Sequence, residues 1–367
     1  MQRYGPVAER MRVLFDAYWW SQGPPSGRNV VRSMVRTWIE DHPQDQVTLT
    51  VRPTAVDEVQ QELRDLGLPA AVRAAPSYAR IHALAAVASG RGQEPHDVVI
   101  TQNFAARPRN AVSAVFVHDA MFAEHPEWFG RRERAYLSAL RPSLRRADLV
   151  FTSSQTEASR IARVWPETAE RTQAVGLHPP RDFEDTIDRR PTSIGDEPYV
   201  LAVGRINVRK NLRRLVEAFL RDPLPSDHRL YVVGQPDGLR ELIPDGDDRV
   251  EVLDRVDDAE LRWLYRHASL FVFPSLDEGF GLPLVEARSL GTPAVVSDIP
   301  VFRELGIADA YFDPESVDDI ARTLADAHPR PVDGAPADTG SWSDTVDAMR
   351  DAVCSAIGGG RTRVTAA

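Results

Sequence analysis

Lysine, cysteine and long apolar runs are nearly missing from this 367-residue sequence. Its 44 basic residues include a single lysine, Lys210, and its one cysteine is Cys354. A lone cysteine can form neither an intrachain disulfide nor a cysteine zinc cluster, so a reducing compartment is the simplest setting. No apolar run reaches the length of a membrane span, and residues 1–15 contain no apolar core of a signal peptide. We therefore expect a cytoplasmic protein.

Several catalytic motifs are also missing. The sequence has no Gly-x-Gly-x-x-Gly, P-loop or Gly-x-Ser-x-Gly pattern, which removes the best evidence for a dehydrogenase, an NTPase or a hydrolase. Residues 245–248 resemble an Asp-x-Asp metal motif, but they follow a proline and precede a strand, which favours a solvated turn. The spacing of His118, Asp119, Glu124 and His125 matches no zinc pattern. We expect no bound metal and no required cofactor.

The charge is unevenly distributed along the chain. Residues 1–180 carry a net charge of +3 and residues 181–367 a net charge of −13. So acidic a chain is not expected to bind nucleic acid. The aromatic residues between 122 and 129 run into six arginines between 131 and 146. This stretch is typical either of a solvated helix face or of a peripheral contact with the inner membrane face, for example beside a lipid-linked acceptor.

Short apolar, β-branched runs alternate with helical patterns throughout. Strands are predicted at 12–17, 46–51, 97–101, 113–117, 148–152, 172–176, 199–203, 229–233, 249–253, 269–273 and 293–296, and helices at 29–41, 54–66, 78–89, 155–164, 210–220, 258–267, 283–290, 316–327 and 342–357. Alternation of this kind predicts α/β domains with doubly wound parallel sheets. We place a first domain at 1–180, a linker at 181–198 and a second domain at 199–340. A C-terminal helix at 341–358 is expected to pack back on the first domain, and 359–367 to form a flexible tail.

Residues 271–287 form a strand, a loop and a helix, and they carry Glu278 on the loop and Glu286 about one turn inside the helix. Exposed N–H groups at a helix N-terminus attract phosphate, and the two glycines of the loop let a ligand approach the backbone. Carboxylates beside such a site suit sugar or ribose hydroxyls. The alternative is a tight turn with incidental glutamates.

Residues 203–212 also lead from a strand to a helix, and they place Arg205 and Lys210 at the carboxyl edge of the sheet. Together, a guanidinium and an ammonium can neutralise a departing nucleoside diphosphate. The alternative is an exposed basic helix start, although positive charge opposes the helix dipole there.

Three segments carry a resemblance to a known family: GRINVRKNL at 204–212, LRWLYRHASLFVFPSLDEGFGLPLVEARSLGTPAVVSD at 261–298 and FRELGIADAYFDP at 302–314. Together they resemble the retaining glycosyltransferases of family four, with an EGFGLPxxE motif. The resemblance implies the GT-B fold, in which two Rossmann-like domains face a central cleft. It also implies that Arg205 and Lys210 bind the donor diphosphate and that Glu286 holds the ribose.

The same resemblance assigns the rest of the donor site. It implies that Glu278 and the backbone of Gly279, Phe280, Gly281 and Leu282 hold the donor sugar. The nucleotide base is expected near the loop of residues 255–257, against the backbone around Val256.

The first half matches the family more loosely. The resemblance places His118 beside the donor sugar, whereas a strand-end histidine is otherwise often a cap or a partner of Asp119. The family's glycine-rich loop corresponds here to residues 24–29, which contain two prolines and one glycine and are therefore stiffer. Its candidates are Gly27 for the donor and Arg28 for the acceptor. Further acceptor-side candidates are Trp19, Trp20 and Asp119; the alternative for the two tryptophans is a buried aromatic cluster.

The sequence thus predicts a retaining glycosyltransferase that moves a hexosyl group of mannosyl, glucosyl or rhamnosyl type. The donor is a GDP-, UDP- or dTDP-linked sugar, and the acceptor is a hydroxyl of a saccharide, a lipid-linked or a small molecule. Biosynthesis of a polysaccharide, glycolipid or other glycoconjugate is the expected setting. The alternatives are a secondary-metabolite glycosyltransferase, and a sugar phosphorylase or nucleotide-sugar epimerase on the same fold.

Overall fold

The structure, a computed structural model, consists of two compact α/β units. It describes residues 10–76, 81–90, 95–221, 224–225, 227–236, 247–253, 256–327 and 336–364. The first unit comprises the described residues of 1–120, 135–177 and 341–367, and the second those of 121–134 and 178–340. The predicted linker, 181–198, lies within the second unit. No helix in these ranges has both the length and the apolar content needed to cross a bilayer.

The first unit is built on a parallel sheet. Its strands are β1 (Arg12–Asp16), β2 (Gln46–Val51), β3 (Ala70–Ala74), β4 (Val98–Gln102), β5 (Val112–Val117), β6 (Leu149–Thr152) and β7 (Thr172–Ala174). The spatial order is β3-β2-β1-β4-β5-β6-β7, and neighbouring strands are parallel. The central strands are apolar on both faces because helices cover both sides of such a sheet.

The second unit repeats this plan. Its strands are β8 (Tyr199–Val203), β9 (Arg229–Val233), β10 (Val250–Leu253), β11 (Leu270–Phe273), β12 (Ala294–Ser297) and β13 (Ala310–Phe312), in the parallel order β10-β9-β8-β11-β12-β13. Alternate residues of β11 enter opposite core layers: Phe271 and Phe273 one, Leu270 and Val272 the other. Both layers exclude water from the sheet, which makes its carboxyl edge a rigid platform for loops.

The helices lie between the strands. They are α1 (Pro25–Asp41), α2 (Val56–Asp65), α3 (His82–Ala88), α4 (Met121–Glu124), α5 (Arg131–Leu137), α6 (Leu140–Leu144), α7 (Gln155–Val164), α8 (Arg181–Asp185), α9 (Leu212–Phe219), α10 (Asp258–His267), α11 (Leu282–Ser289), α12 (Pro300–Leu305), α13 (Val317–Asp326) and α14 (Trp342–Val364). Helix α14 belongs to the first unit, where it packs on α1, and it extends six residues into the predicted tail. Residues 365–367 lie outside the described ranges.

Each sheet has one point at which the strand order reverses. In the first sheet β1 lies between β2 and β4, and in the second β8 lies between β9 and β11. At such a point the loops after two neighbouring strands diverge and leave a crevice beyond their carboxyl ends. The residues after β1 and β4, and those after β8 and β11, are therefore the candidates for ligand binding in each unit.

The structure adds two strands and five helices (α4, α5, α6, α8 and α12) to the predicted set, and it moves the start of α1. Strands β3 and β13 were not predicted; β3 has the sequence AAVRA, with one β-branched residue, and β13 has three residues. Helix α1 begins four residues before the predicted start, because Pro25 occupies its first turn, where its fixed φ suits a helix and its missing N–H costs nothing. The predicted stiff loop at 24–29 is therefore wrong, since residues 25–29 are helical.

Candidate functional site

The turn after β8 buries the only lysine of the chain. Asn207 accepts a hydrogen bond from the backbone N of Lys210 at 3.2 Å, and the Lys210 side chain folds back beneath Gly204. A Cβ on Gly204 would lie 3.0 Å from Lys210 Cε, and its φ of +154° disfavours other residues as well. Glycine at this position therefore makes room for the lysine at the sheet edge.

Asn211 ends this turn and joins it to neighbouring loops. Its φ is +55°, and its side-chain nitrogen donates to the carbonyl oxygens of Pro274 at 3.0 Å and Pro314 at 2.7 Å. The predicted helix start at Lys210 is therefore wrong: the left-handed residue separates Lys210 from α9, which begins at Leu212. The turn after β8, and not a helix, therefore orients the Lys210 side chain.

The Glu278 carboxylate lies directly against Lys210. Lys210 Nζ is 2.5 Å from Oε1, Ser275 Oγ donates to the same oxygen at 2.7 Å, and Arg209 Nη1 donates to Oε2 at 2.8 Å. Lys210 is 7% exposed and Glu278 7%. Because both carboxylate oxygens are held, Glu278 has one orientation.

Burial and charge act in opposition on this pair. Burial lowers the pKa of Lys210 to about 8, because the attraction of Glu278 offsets only part of the desolvation and both Arg209 and Arg205 repel the ammonium. Burial also opposes ionisation of Glu278, but Arg209 and Lys210 outweigh it and lower the pKa of Glu278 to about 2. At neutral pH the pair is therefore an ammonium and a carboxylate.

Arg205 is the third cation of this edge. It follows β8, is half-buried, and is near enough to Lys210 to depress its pKa. Arg205, Arg209 and Lys210 outnumber the carboxylates of Glu278 and Asp277, the latter of which accepts the Glu278 N–H at 2.8 Å. Three cations and two carboxylates therefore lie together at this edge of the sheet.

The loop after Glu278 leads into α11 through Gly281, where any other residue would be strained. Gly281 has a φ of +110°, and a Cβ there would lie 2.7 Å from Phe302 Cε1. Gly279 is buried, whereas Phe280 and Leu282 are half-buried. The loop therefore brings its backbone to the N-terminus of α11, where the first helical N–H groups have no partner within the helix.

Glu286 lies within α11, and its carboxyl group pairs with Tyr265. The phenol of Tyr265 donates to Glu286 Oε2 at 2.9 Å. Burial raises the pKa of Glu286 to about 7, because the Tyr265 hydrogen bond compensates only part of the desolvation. Its carboxyl group therefore titrates near neutral pH.

Val256 lies immediately before α10 and packs against the core of the second unit. Its neighbour Asp257 caps the helix by accepting the N–H of Glu260 at 2.9 Å. Arg255, the other side of the predicted base-binding loop, lies outside the described residues. The role of Val256 stays a prediction.

In the first unit, His118 follows β5 and pairs with Gln102, the last residue of β4. The distance from His118 Nε2 to Gln102 Oε1 is 2.9 Å, and the His118 backbone N donates to Asn103 Oδ1 at 3.1 Å. Burial, and then repulsion by His82, lowers the pKa of His118 to about 3. The ring partner is Gln102 and not Asp119, which is half-buried.

The two tryptophans that were predicted for the acceptor side differ in their contacts. Trp20 is 1% exposed, and its Nε1 donates to Glu62 at 2.9 Å, which agrees with a buried aromatic cluster. The Trp19 ring is also buried; its centroid lies 4.3 Å from that of His82 and 5.3 Å from that of His118. Trp19 thus packs beside His118 and orients it, although its faces are largely occupied.

Gly27 lies in the first turn of α1 and supports Trp19. A Cβ at Gly27 would lie 2.8 Å from Trp19 Cε3, so glycine is needed for the ring to pack against the helix. Arg28 is half-buried, and its backbone N donates to the Pro24 carbonyl at 2.9 Å. The geometry gives Gly27 a packing role, while donor contact at Gly27 and acceptor contact at Arg28 stay predictions.

A further polar group at this edge was not predicted. Asp16, the last residue of β1, lies 2.8 Å from His82 Nε2, and His82 Nδ1 lies 3.4 Å from the Tyr136 hydroxyl. Asp16 and His82 are 1% and 5% exposed. This buried chain of carboxylate, imidazole and phenol supports the loops around Trp19.

The structure therefore brings together three of the predicted residues in the second unit and adds partners that sequence reasoning missed. Arg209 and Tyr265 lie inside the quoted motifs, and Ser275 is three residues before Glu278, so proximity in sequence could have indicated them. Gln102 carries no such signal, because it meets His118 only through the pairing of β4 with β5.

Comparison with known proteins finds a family match inside the second unit. Residues 197–328 match the family model described as glycosyl transferases group 1. The resemblance to a family-four glycosyltransferase, based on segments inside this range, is thereby confirmed.

Curated relatives agree with this match. The chain is 31% identical over 223 residues to O-antigen chain mannosyltransferase B of Escherichia coli, covering 56% of this chain and 58% of the relative. It is 30% identical over 232 residues to D-inositol 3-phosphate glycosyltransferase of Mycolicibacterium smegmatis, covering 55% and 52%. The matched region thus spans little more than half the length of these relatives.

A solved structure extends the likeness over nearly the whole chain. The catalytic domain of starch synthase IV from Arabidopsis thaliana, bound to ADP and acarbose, superposes with a TM-score of 0.64 at 10% identity, covering 96% of this chain and 100% of that one. At this identity the likeness shows the fold alone, and together with the two parallel sheets it confirms the predicted GT-B fold.

Proposed function

We propose that this chain, whose residues 197–328 belong to the glycosyl transferases group 1 family, is a retaining hexosyltransferase that uses a nucleoside diphosphate sugar. The observation that carries the proposal is the cluster of the buried Lys210 and Glu278 with the half-buried Arg209, beside Arg205 at the reversal point of the second sheet. It combines cations for a diphosphate with a fixed carboxylate for a sugar.

The cations act on the leaving group. As the bond between the anomeric carbon and the diphosphate oxygen breaks, both electrons pass to that oxygen, and negative charge grows on the diphosphate. Lys210, with a pKa of about 8, is still mainly an ammonium at pH 7 and can stabilise this charge together with Arg205. A preorganised donor of this kind is typically worth about 100-fold to 1000-fold in rate.

Retention of configuration follows in this proposal from a front-face displacement. Glu278 is poorly suited to attack the anomeric carbon, because Lys210, Ser275 and Arg209 hold its two oxygens. The acceptor oxygen instead forms its bond on the face from which the diphosphate departs. The acceptor proton passes to a diphosphate oxygen, so no protein nucleophile is consumed.

The nucleoside end of the donor is assigned to Glu286. Its carboxylate can accept hydrogen bonds from the ribose hydroxyls, while Tyr265 holds its other side. This contact is equally present before and during bond breaking, so it contributes to donor binding and not to turnover.

A mannosyl donor and a saccharide or lipid-linked acceptor are the first choice. Curated relatives include O-antigen chain mannosyltransferases, whose names indicate polysaccharide assembly. GDP-mannose is therefore the first donor to test, followed by UDP-glucose and dTDP-rhamnose. Small-molecule acceptors represent the secondary-metabolite alternative.

The test has two stages. Thermal unfolding is first measured with GDP, UDP and dTDP and with their sugars; a ligand at about 100 times its Kd adds about 2.7 kcal/mol to the stability. The stabilising donor is then incubated with acceptor oligosaccharides, and the product's anomeric configuration is read by NMR. Retained configuration is expected.

Three results would contradict the proposal. Inverted configuration would remove the front-face mechanism. Release of a sugar 1-phosphate that requires inorganic phosphate would indicate a phosphorylase. A changed sugar on the nucleotide, without any acceptor, would indicate an epimerase.

A further inference from the structure

Gln102 is a buried amide whose nitrogen has no partner. The residue is 1% exposed, and Nε2 makes no hydrogen bond within the part of the chain that the structure describes. A buried polar group left unpaired costs about 1–3 kcal/mol. Unpaired groups of this kind in a folded protein call for a functional explanation.

The amide oxygen of Gln102 is used, and its partner is His118. Gln102 Oε1 lies 2.9 Å from His118 Nε2. A carbonyl oxygen can only accept a hydrogen bond, so Nε2 carries the proton. In a neutral imidazole the other nitrogen, Nδ1, is then an acceptor.

Contacts with neighbouring residues hold the His118 ring and its backbone in place. Its ring packs against Trp19, at 5.3 Å, and Phe116, at 5.0 Å between centroids, and its backbone N donates to Asn103 Oδ1. These contacts restrict the orientation of the ring. Among the described residues, none provides a hydrogen-bond partner for Nδ1, and the residue is half-buried.

We infer that Gln102 is a positioning residue that selects the Nε2–H tautomer of His118, so that Nδ1 accepts a hydrogen bond from a sugar hydroxyl bound at this edge of the first sheet. The ligand half of this inference rests on the proposed function, whereas the tautomer is a property of the free protein. The low pKa of His118 agrees with a neutral ring at physiological pH. The first unit thereby recognises a hydroxyl by one oriented lone pair.

The tautomer is tested in the free protein by ¹⁵N NMR of histidine-labelled chain at pH 7. Nine histidines contribute, so His118→Gln assigns the signal. We expect a protonated Nε2 and an unprotonated Nδ1. An Nδ1–H tautomer, or a doubly protonated ring, would overturn the inference.

Two variants of Gln102 separate positioning from structure. Gln102→Met removes the acceptor and the unpaired amide, so we expect a mixture of tautomers while Tm is unchanged or higher. Gln102→Glu keeps an acceptor on Nε2 but puts a carboxylate beside the ring, which favours the doubly protonated imidazole and so removes the acceptor at Nδ1. An unchanged tautomer in Gln102→Met would mean that Gln102 does not set it.

Kinetics complete the test without confusing the two proposals. Losing one oriented hydrogen bond of about 1.4 kcal/mol should lower kcat/KM about tenfold in Gln102→Met, and Gln102→Glu should not restore it. A shifted tautomer with unchanged kcat/KM would refute the sugar contact alone. If the wild-type chain shows the tautomer but transfers no sugar, only the proposed function fails.

Discussion

The carboxyl edges of the two sheets share a reversal of strand order but differ in charge. In the second unit, the edge carries the buried Lys210 and Glu278 and the half-buried Arg209, which are charged. In the first unit, the corresponding edge carries the Asp16 carboxylate, which is paired with His82, and the neutral side chains of His118 and Gln102. Two similar folds thus provide different chemistry because different residues follow their strands.

The first unit also buries an ion pair away from this edge. Arg350 of α14 pairs with Asp45, the residue before β2, at 2.9 Å and 3.2 Å, and Asp45 also accepts from the Met11 N–H and Trp38 Nε1. This pair lies toward the amino ends of β1 and β2 and joins α14 to α1. In the first unit this ion pair joins two helices, whereas in the second unit the charged residues gather at the carboxyl edge of the sheet.

The largest expected effect is a loss of stability when the buried Arg350–Asp45 pair is broken. Arg350→Met leaves the Asp45 carboxylate buried without its cation, and loss of one partner of a buried pair costs about 3–5 kcal/mol. Denaturant unfolding measures the loss. The control is Arg221→Met, which breaks an exposed pair with Asp318 and should cost about 0–1 kcal/mol. Equal losses in both variants would contradict the assignment.

The next prediction concerns Lys210 at the charged edge of the second unit. Lys210→Met removes the buried ammonium, and we expect kcat to fall about 100-fold to 1000-fold. The free energy of unfolding should fall by less than in Arg350→Met, because Arg209 and Ser275 still hold Glu278. Arg213→Met, in the helix that follows, is the control and should retain turnover. Near-normal kcat in Lys210→Met would exclude Lys210 from the mechanism.

A smaller effect is expected at Arg209, which the sequence did not indicate. Arg209→Met frees Glu278 Oε2, and a hydrogen bond to a charged group is worth about 1.5–3 kcal/mol, so kcat/KM should fall about 10-fold to 100-fold. Arg209→Lys keeps the charge and should recover part of the loss. If kcat/KM in Arg209→Met equals that of the wild type, Arg209 does not position Glu278.

The smallest expected effect is a pH dependence. Since Glu286 has a pKa of about 7, it is mainly protonated at pH 6 and ionised at pH 8, and the carboxylate is the better acceptor for ribose hydroxyls. Nucleoside diphosphate affinity should therefore rise from pH 6 to pH 8 by up to about 10-fold. Titration calorimetry measures it.

Two controls isolate Glu286 from the titration of the phosphates. Glu286→Gln and a 2′,3′-dideoxy nucleotide should each remove this component of the pH dependence. The raised pKa also means that the folded chain holds this proton more tightly. Its contribution to stability is full below the unfolded pKa near 4.5 and is lost as pH rises through 7. A stability that rises over this range through Glu286 would contradict the assignment.

Much of the fold could be predicted from the pattern of residues. β2, β8 and β9 have the predicted bounds, because their apolar runs are buried and end at polar residues. β3 and β13 could not be predicted, since each is an edge strand with little burial of its own. The start of α1 was missed because a Pro-Pro pair indicates a loop unless the second proline occupies the first helical turn.

Some residues of the candidate site could be predicted from the sequence, and others could not. Arg205, Lys210, Glu278 and Glu286 were indicated by their positions after β8 and β11. Ser275 and Tyr265 were overlooked, although both lie within or beside the quoted motifs. The packed, largely covered state of Trp19 could not be foreseen, because it depends on the glycine at 27 and on two histidines far apart in the sequence.

By itself, the sequence determined that this chain forms two parallel α/β units and that its chemical groups follow the strands. Local preferences decide this, because burial and turn formation act over a few residues. The pairing of Lys210 with Glu278, 68 residues apart, and of His118 with Gln102 was decided only in the tertiary structure. Hydrogen bonds and pKa values depend on ångström-scale distances, and those distances are set only when the strands assemble.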